Sequence, residues 1–97
     1  MAFDDERVQA HLIIRGRVQG VYFRGTLKER AESLAVGGWA RNLEDGSVEA
    51  VFEGSRVSVN AVIAWARIGP PAARVESVEI AWGELPPEAE ARGFEVR

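Results

Sequence analysis

The chain has 97 residues, of which 46% are hydrophobic and 28% charged; this composition predicts one folded domain, residues 1–97, and excludes a disordered chain. Cysteine is absent and histidine occurs once, which excludes disulfides, a cysteine nucleophile and a zinc centre built on Cys or His. Fifteen acidic side chains outnumber twelve basic ones, and the net charge of −3 disfavours a nucleic-acid partner.

The N-terminal residues 1–7 carry acidic side chains where a secretion signal needs a basic segment followed by an apolar one. The longest apolar run, residues 61–66, is far shorter than the roughly 18 residues of a membrane span. We therefore expect a cytoplasmic protein that binds no membrane. A monomer is the default expectation for a compact domain without an obvious apolar edge.

The first half of the chain alternates between strand and helix signals. Every second residue from Val8 to Ile14 is apolar, which is the period of a half-buried strand. The segment Gly16–Gly20 predicts a loop, because glycine adopts positive φ without steric cost. Apolar residues at helical spacing then predict an amphipathic helix that ends at Gly37 and Gly38. These apolar positions are Phe23, Leu27, Ala31 and Leu34.

A hairpin and a second helix follow. Strands are predicted at Gly38–Leu43 and Ser47–Phe52, and the Asp45-Gly46 pair between them indicates an antiparallel hairpin. Ser55 is a typical helix cap, and Gly69-Pro70-Pro71 stops the helix that it begins. The apolar positions of this helix are Val59, Val62, Ile63 and Ala66.

Strand signals return near the C-terminus. Alternation predicts a strand from Arg74 to Trp82, and Phe94–Val96 is a candidate edge strand after a break at Pro86-Pro87. The order β-α-β-β-α-β matches a ferredoxin-like α+β sandwich, in which two helices cover one face of an antiparallel sheet. This fold hosts many unrelated functions, so it fixes no activity by itself.

The segment between the first strand and the first helix is the candidate anion site. Its backbone N–H groups, reinforced by the helix dipole, are typical of a phosphate-binding concavity. Arg24 follows at once, and its planar guanidinium can grip two phosphoryl oxygens. By itself the pattern also fits a tight turn beside a solvated arginine, and composition alone favours that simpler interpretation. The loop residues are Gly16, Arg17, Val18, Gln19, Gly20, Val21 and Tyr22.

Two segments resemble the signatures of the acylphosphatase family. One is Gly16-Arg17-Val18-Gln19-Gly20-Val21-Tyr22-Phe23-Arg24, and the other is Gly38-Trp39-Ala40-Arg41-Asn42 followed by Asp45-Gly46-Ser47-Val48-Glu49. The likeness runs from about Ala10 to the closing Phe94–Arg97. The chain departs from the family pattern at Ala35-Val36, where Gly-Leu is usual, and we expect this change to leave Gly37 as the residue that ends the helix.

The resemblance implies metal-free and cofactor-free hydrolysis of the carboxyl–phosphate bond of small acyl phosphates. By motif, the family's phosphate-binding arginine falls on Arg24 and its water-orienting asparagine on Asn42. The chemistry agrees, because the leaving carboxylate is a stable anion that needs no general acid. We predict that Arg24 and the amides of residues 16–22 hold the phosphoryl oxygens while Asn42 orients the attacking water.

Several other polar and aromatic side chains are placed outside the predicted site. We interpret His11 as structural and Arg17 as solvent exposed, and Arg41 alternates with Asn42 and therefore points to the opposite face of its strand. Thr26 has two equally weighted interpretations, support of the loop or a local hydrogen bond. The tryptophans are predicted to pack in the core or between helix and sheet: Trp39, Trp65 and Trp82.

Other functions remain alternatives from sequence. A non-catalytic anion-binding module of the same fold would share the loop but not the reaction. RNA binding through the open sheet face conflicts with the negative charge and with the lack of a basic aromatic strand. A segment of a larger maturation protein is disfavoured by the length and by the missing cysteine cluster.

Overall fold

The computed structural model of the protein describes residues 6–85 and 93–97. Two helices and five strands follow the predicted order, and the predicted break at Pro86-Pro87 lies outside the described residues. The elements are β1 (Arg7–Arg17), α1 (Phe23–Ser33), β2 (Gly37–Asn42), β3 (Val48–Ser55), α2 (Arg56–Ala66), β4 (Arg74–Glu84) and β5 (Phe94–Val96). No helix in these two ranges is long and apolar enough to cross a membrane.

The strands form one sheet in the order β4-β1-β3-β2-β5. The predicted antiparallel pairing is confirmed for β4, β1, β3 and β2. The edge strand β5 is also present, but it pairs parallel to β2, with Phe94 opposite Gly38. β2 runs in the same direction as β1, because both pair antiparallel with β3. β4 runs opposite to β1, and β5 reverses direction once more, so β5 is parallel to β2. The sheet is therefore mixed at this edge.

The core lies between the sheet and the two helices, both of which contact one face of it. The alternating apolar residues of β1 are fully buried there, as their period predicts. Aromatic rings pack against each other within each layer: Phe23 of α1 lies 5.6 Å from Trp65 of α2, and Phe52 of β3 lies 6.0 Å from Phe94 of β5. Each such buried side chain stabilises the fold by about 1.5–3 kcal/mol. The buried residues of β1 are Val8, Ala10, Leu12 and Ile14.

The first helix ends earlier than predicted. Ala35, not Gly37, adopts the left-handed conformation, with φ of 58°. The N–H of Val36 donates to the carbonyl of Ala31 at 2.8 Å, and the N–H of Ala35 donates to that of Glu32 at 3.2 Å. These two bonds are the Schellman pattern, which offsets the steric cost of a left-handed alanine. Gly37 instead begins β2.

The first strand is longer than predicted, and the loop is correspondingly shorter. Gly16 and Arg17 belong to β1 and pair with β4 after a bulge at Arg15/Gly16. Gly16 has φ of 129°, and a Cβ there would lie 2.1 Å from the carbonyl oxygen of Arg74. Close backbone approach, not a turn, therefore requires this glycine. The connection to α1 is the 18–22 loop, residues Val18 to Tyr22.

The two predicted local signals in the second half are confirmed. The Ser55 hydroxyl accepts a hydrogen bond from the N–H of Ser58 at 3.3 Å and caps α2. Asp45 and Gly46 lie in the turn between the antiparallel strands β2 and β3, and Gly46 has φ of 93°. The cap marks the start of α2, and the turn follows the end of β2.

The tryptophans divide between three environments. Trp65 packs between the helices, as predicted. Trp39 shares a face with Val51 and His11, the face turned away from the helices, so its predicted core position is wrong. Trp82 lies opposite buried Ala10, is 45% exposed and contacts the guanidinium of Arg56 of α2 at 5.4 Å, so it packs between helix and sheet, which is one of its two predicted positions. The period-2 pattern predicted the strands correctly, but it did not predict how far other elements bury each face of the sheet.

Candidate active site

A cavity of about 490 Å³ opens where α1 begins, beside the end of β2. It brings together the predicted phosphate-binding arginine, the predicted water-orienting asparagine and part of the predicted loop. Its lining residues are Val18, Gly20, Tyr22, Phe23, Arg24, Gly25, Asn42 and Val96.

Four residues of the predicted loop do not line this cavity. Gly16 and Arg17 are the end of β1, and the Arg17 side chain is exposed as expected. Val21 is 7% exposed and belongs to the core. The Gln19 side chain contacts the β2–β3 turn instead. The loop therefore begins at Val18, two residues later than predicted.

The backbone of residues 18–25 is rich in unused donors. In the described ranges, none of these N–H groups donates to a backbone or side-chain acceptor; the first bond of α1 runs from Thr26 to Tyr22. Gly20 and Tyr22 adopt left-handed φ values of 75° and 65°, whereas Val21 between them does not. Alternation of this kind curls successive N–H groups toward a common centre, which is an anion-binding arrangement.

The start of α1 also lacks the capping or acidic side chain that helix N-termini usually carry. Tyr22 occupies the N-cap position without a side-chain cap, and the first turn contains no acidic residue. Helix N-termini normally satisfy their free N–H groups with a capping oxygen or a nearby carboxylate. Here the partial positive charge of the helix end faces the cavity uncompensated, which favours an external anion.

Arg24 is held by the far end of the chain. Its Nη1 donates to the main-chain oxygen of Arg97 at 2.8 Å. Arg97 in turn donates its own N–H to the carbonyl of Ala40 at 2.8 Å, and its guanidinium lies 4.5 Å from the ring of Trp39. The sequence did not predict this role for Arg97, although the closing segment was part of the family resemblance.

Asn42 is the last residue of β2 and faces the cavity side of the sheet. It pairs with buried Val48, whereas Arg41 pairs with Glu49 on the opposite face, as the alternation predicted. The Asn42 side chain is exposed and has no hydrogen-bond partner in the part of the chain that the structure describes. An amide in this state can bind water with both its donor and its acceptor.

Gln19 fastens the 18–22 loop to the β2–β3 turn. Its Nε2 donates to the carbonyls of Leu43 and Ser47, both at 2.8 Å. Asp45 braces the same turn, because its carboxylate accepts from the hydroxyl of Ser47 at 2.5 Å and from its N–H at 2.9 Å. The hydroxyl bond is the main reason that the pKa of Asp45 lies below its usual value. The loop and Asn42 are thereby kept adjacent.

Thr26 makes the local bond rather than lining the cavity. Its hydroxyl donates to the carbonyl of Tyr22 at 2.8 Å, a local bond to a residue of the loop that fits both interpretations. The bond fixes the last residue of the loop at the start of α1. Its effect on the cavity is therefore indirect.

The single histidine lies on the open face of the sheet, outside the cavity. His11 Nε2 is 2.7 Å from Glu49 Oε2, and Arg41 Nε donates to Glu49 Oε1 at 2.6 Å. The pKa of Glu49 is lowered, first by the hydrogen bond from His11 and then by that from Arg41. A structural role for His11 is consistent with these contacts. Within residues 6–85 and 93–97, no three His, Cys, Asp or Glu side chains are placed to hold a metal ion.

Known proteins are similar to this chain in both sequence and fold. Residues 10–96 match the family model described as Acylphosphatase. An acylphosphatase of Rubrobacter xylanophilus is 54% identical over 89 residues, covering 92% of this chain and 79% of that protein. An acylphosphatase of Pyrobaculum arsenaticum is 59% identical over 80 residues, covering 81% of this chain and 84% of that protein.

Solved structures agree. The crystal structure of an acylphosphatase from Bacillus subtilis has a TM-score of 0.85 at 27% identity, covering 93% of this chain and 98% of that one. An acylphosphatase structure from Coxiella burnetii has a TM-score of 0.81 at 37% identity and full coverage of both chains. A similar unit occurs inside a longer protein, HypF of T. kodakarensis, of which the match covers 11%.

The fold, the two signatures and the extent of the match define a small hydrolase. The chain belongs to the acylphosphatase family. It is an enzyme with acylphosphatase activity, which hydrolyses acyl phosphates, as the resemblance implied. The relatives favour an enzyme over the two alternatives, a non-catalytic anion-binding module and an RNA-binding domain.

Proposed function

We propose that the cavity binds the phosphoryl group of a small acyl phosphate on the N–H groups of residues 18–25 and the guanidinium of Arg24, while Asn42 orients the attacking water. One observation carries this proposal: Arg24, the amides and the Asn42 side chain, the last two without a hydrogen-bond partner among the described residues, all border one cavity. The amides and Arg24 would bind the phosphoryl oxygens, and Asn42 would bind the attacking water.

The proposed reaction is an in-line displacement at phosphorus. The oxygen of water forms a bond to phosphorus while the bond from phosphorus to the acyl oxygen breaks, and the carboxylate leaves with the electron pair. The carboxylate needs no proton, so no general acid is required. The water protons pass to phosphate oxygens and to solvent, because Asn42 is not a strong base.

Charge neutralisation comes from the protein itself in this proposal. The oriented amides and the fixed guanidinium meet the negative charge on the phosphoryl oxygens, the role that a metal ion plays in many phosphoryl-transfer sites. Among the described residues, none that lines the cavity carries a carboxylate side chain. We therefore propose that turnover needs no divalent metal.

The test is turnover of acetyl phosphate in excess EDTA by the wild type, Arg24→Ala and Asn42→Ala. We expect kcat/KM to fall about 10³-fold for Arg24→Ala and about 10²-fold for Asn42→Ala, with folding verified by circular dichroism. Matched controls are Arg30→Ala, later in α1, and Asn60→Ala, exposed on α2; both should retain wild-type rates. Equal rates in all five proteins, or loss of turnover on metal removal, would refute the assignment.

We also propose that the 97 residues work as one domain, as a monomer, in the cytoplasm, with no nucleic-acid or membrane partner. Support comes from a single sheet and a single core cluster in the described ranges and from the net charge of −3. Light scattering after gel filtration should give the mass of one chain. A gel-shift assay with RNA at moderate salt should show no complex.

A further inference from the structure

Resting on the proposed function, we propose that Lys28 is a modification site for the enzyme's own substrate: an acyl phosphate bound at Arg24 transfers its acyl group to the Lys28 amine in a slow side reaction. The product is an N-acyl lysine one helical turn from the cavity. Lys28 does not line the cavity and takes no part in the proposed hydrolysis.

Side chains that an acyl phosphate can modify are scarce in this sequence. The twelve basic residues comprise one lysine and eleven arginines, and cysteine is absent. A guanidinium stays protonated in proteins and is a poor nucleophile, whereas an ammonium that loses its proton becomes an amine that attacks carbonyl carbon. Lys28 therefore carries the one side-chain amine that the substrate meets.

Lys28 lies on the same face of α1 as Arg24. The two residues are four positions apart, so their Cβ atoms are about 5–6 Å from each other. Side chains of a helix lean toward its N-terminus, and the N-terminus of α1 borders the cavity. The flexible four-carbon stem of Lys28 can therefore carry its amine to the space beside the Arg24 guanidinium.

The amine of Lys28 is accessible and only weakly held. Its Nζ lies 3.7 Å from Glu32 Oε2, and the two side chains are 44% and 49% exposed. This distance is longer than a good hydrogen bond, and exposed ion pairs of this kind stabilise little. The amine can thus leave Glu32 for the cavity mouth at small cost.

The bound substrate brings an electrophile within reach. One bridging oxygen separates phosphorus from the acyl carbonyl carbon, so a phosphoryl group held by Arg24 places that carbon near the guanidinium. The neutral Lys28 amine attacks the carbonyl carbon and forms a C–N bond, while the bond from this carbon to the bridging oxygen breaks. Inorganic phosphate leaves with the electron pair, and the amine proton passes to solvent. Hydrolysis instead breaks the P–O bond of the same oxygen, so the two reactions compete for one bound substrate.

The test uses Arg30→Lys, which places a second, matched amine on the same helix. Position 30 is exposed and lies about 240° around the axis from Arg24, outside the cavity lining. The protein is incubated with acetyl phosphate in mildly alkaline buffer, and acetylated peptides are quantified by mass spectrometry. We expect Lys28 to be acetylated about tenfold faster than the introduced amine, because the bound acyl group has a higher effective concentration at Lys28.

Occupation of the anion site should control the reaction. Excess inorganic phosphate should lower the rate at Lys28 to that of the amine introduced by Arg30→Lys, whereas sodium chloride of equal ionic strength should not. Adding Arg24→Ala should have the same effect as phosphate. Equal rates at the two amines, or a fast reaction at Lys28 that phosphate does not suppress, would overturn the inference.

A second readout separates this inference from the proposed function. Acetate release in the same samples reports hydrolysis, which acyl transfer to lysine does not produce. Adding Asn42→Ala should slow acetate release and raise the acetylated fraction of Lys28, because each bound substrate then survives longer. If Lys28 reacts no faster than its control while Arg24→Ala still abolishes acetate release, the acylation site is wrong and the proposed hydrolytic roles stand.

Discussion

The Nη1 of Arg24 and the main-chain oxygen of Arg97 are 2.8 Å apart although 73 positions separate the two residues in the chain. Arg97 is itself fixed to β2 through the carbonyl of Ala40 and through the ring of Trp39. The orientation of the proposed phosphate-binding guanidinium thus depends on how firmly the C-terminal segment is attached to the edge of the sheet. Preorganised charge of this kind is what stabilises a developing anionic transition state.

Loosening that attachment should weaken substrate binding. Trp39→Leu removes the cation–π contact with Arg97, which contributes about 0.5–1 kcal/mol, together with a longer one to Arg41 at 5.6 Å. We expect KM for acetyl phosphate to rise about two- to fivefold with little change in kcat. The control is Trp82→Leu, which removes a similar arginine contact far from the cavity and should leave KM unchanged. Equal KM values for the wild type and Trp39→Leu would show that Arg24 is oriented without this contact.

Gln19 should matter to both stability and activity. Gln19→Leu removes two hydrogen bonds to the β2–β3 turn, and we expect unfolding to become easier by about 1–2 kcal/mol. Because the loop then moves relative to Asn42, kcat/KM should fall about tenfold. Urea unfolding and steady-state kinetics measure the two effects.

The chain's other glutamine provides the comparison for that prediction. Gln9 donates to Glu53 at 3.0 Å on the open face. Gln9→Leu should therefore alter stability modestly and leave kcat/KM unchanged. A similar loss of activity in both variants would mean that Gln19 acts only through global stability.

Ala35→Gly should stabilise the protein. Ala35 is exposed, adopts φ of 58°, and carries a Cβ that makes this conformation unfavourable by about 1–2 kcal/mol. Part of that gain is lost to the greater freedom of glycine in the unfolded chain, so we expect a net increase of about 1 kcal/mol. Ala61→Gly, in the exposed middle of α2, should do the opposite by a similar amount. Thermal unfolding of the two variants should shift in opposite directions.

The Glu49 carboxylate should make stability depend on acidic pH. His11 and Arg41 face it from β1 and β2 and lower its pKa from the ordinary value of 4.5. Its stabilising effect is complete above pH 4.5 and is lost as the pH falls through the lowered pKa. Glu49→Gln should therefore cost about 1 kcal/mol at neutral pH, with the difference from wild type vanishing in acid.

Urea unfolding of both proteins between pH 3 and 7 measures this difference. A gap that stays constant over the whole range would contradict the assigned role of the carboxylate. Because Glu49 and Asn42 lie on opposite faces of the sheet, the activity of Glu49→Gln at neutral pH should remain close to that of the wild type.

Local sequence determined most of the elements and the residues predicted to do the chemistry. The period-2 pattern of Val8–Ile14, the Asp45-Gly46 turn and the Ser55 cap all act within a few residues, where steric limits and hydrogen-bond reach decide the outcome. Arg24 and Asn42 were predicted from the resemblance of two short segments to the signatures of the acylphosphatase family, and their roles stay predictions. Tertiary structure leaves such signals intact.

Only the tertiary structure decided which residues, distant in the chain, contact the predicted site residues and strands. The bond from Arg24 to Arg97, the parallel pairing of β5 with β2 and the position of Trp39 on the face turned away from the helices depend on which strands become neighbours. Gly16 and Ala35 also differ from expectation: close approach of β4 requires the glycine within β1, and a Schellman pattern accommodates Ala35, instead of Gly37, at the end of α1. Periodicity gives the direction of a side chain along its own strand, but the packing of other segments decides what it meets there.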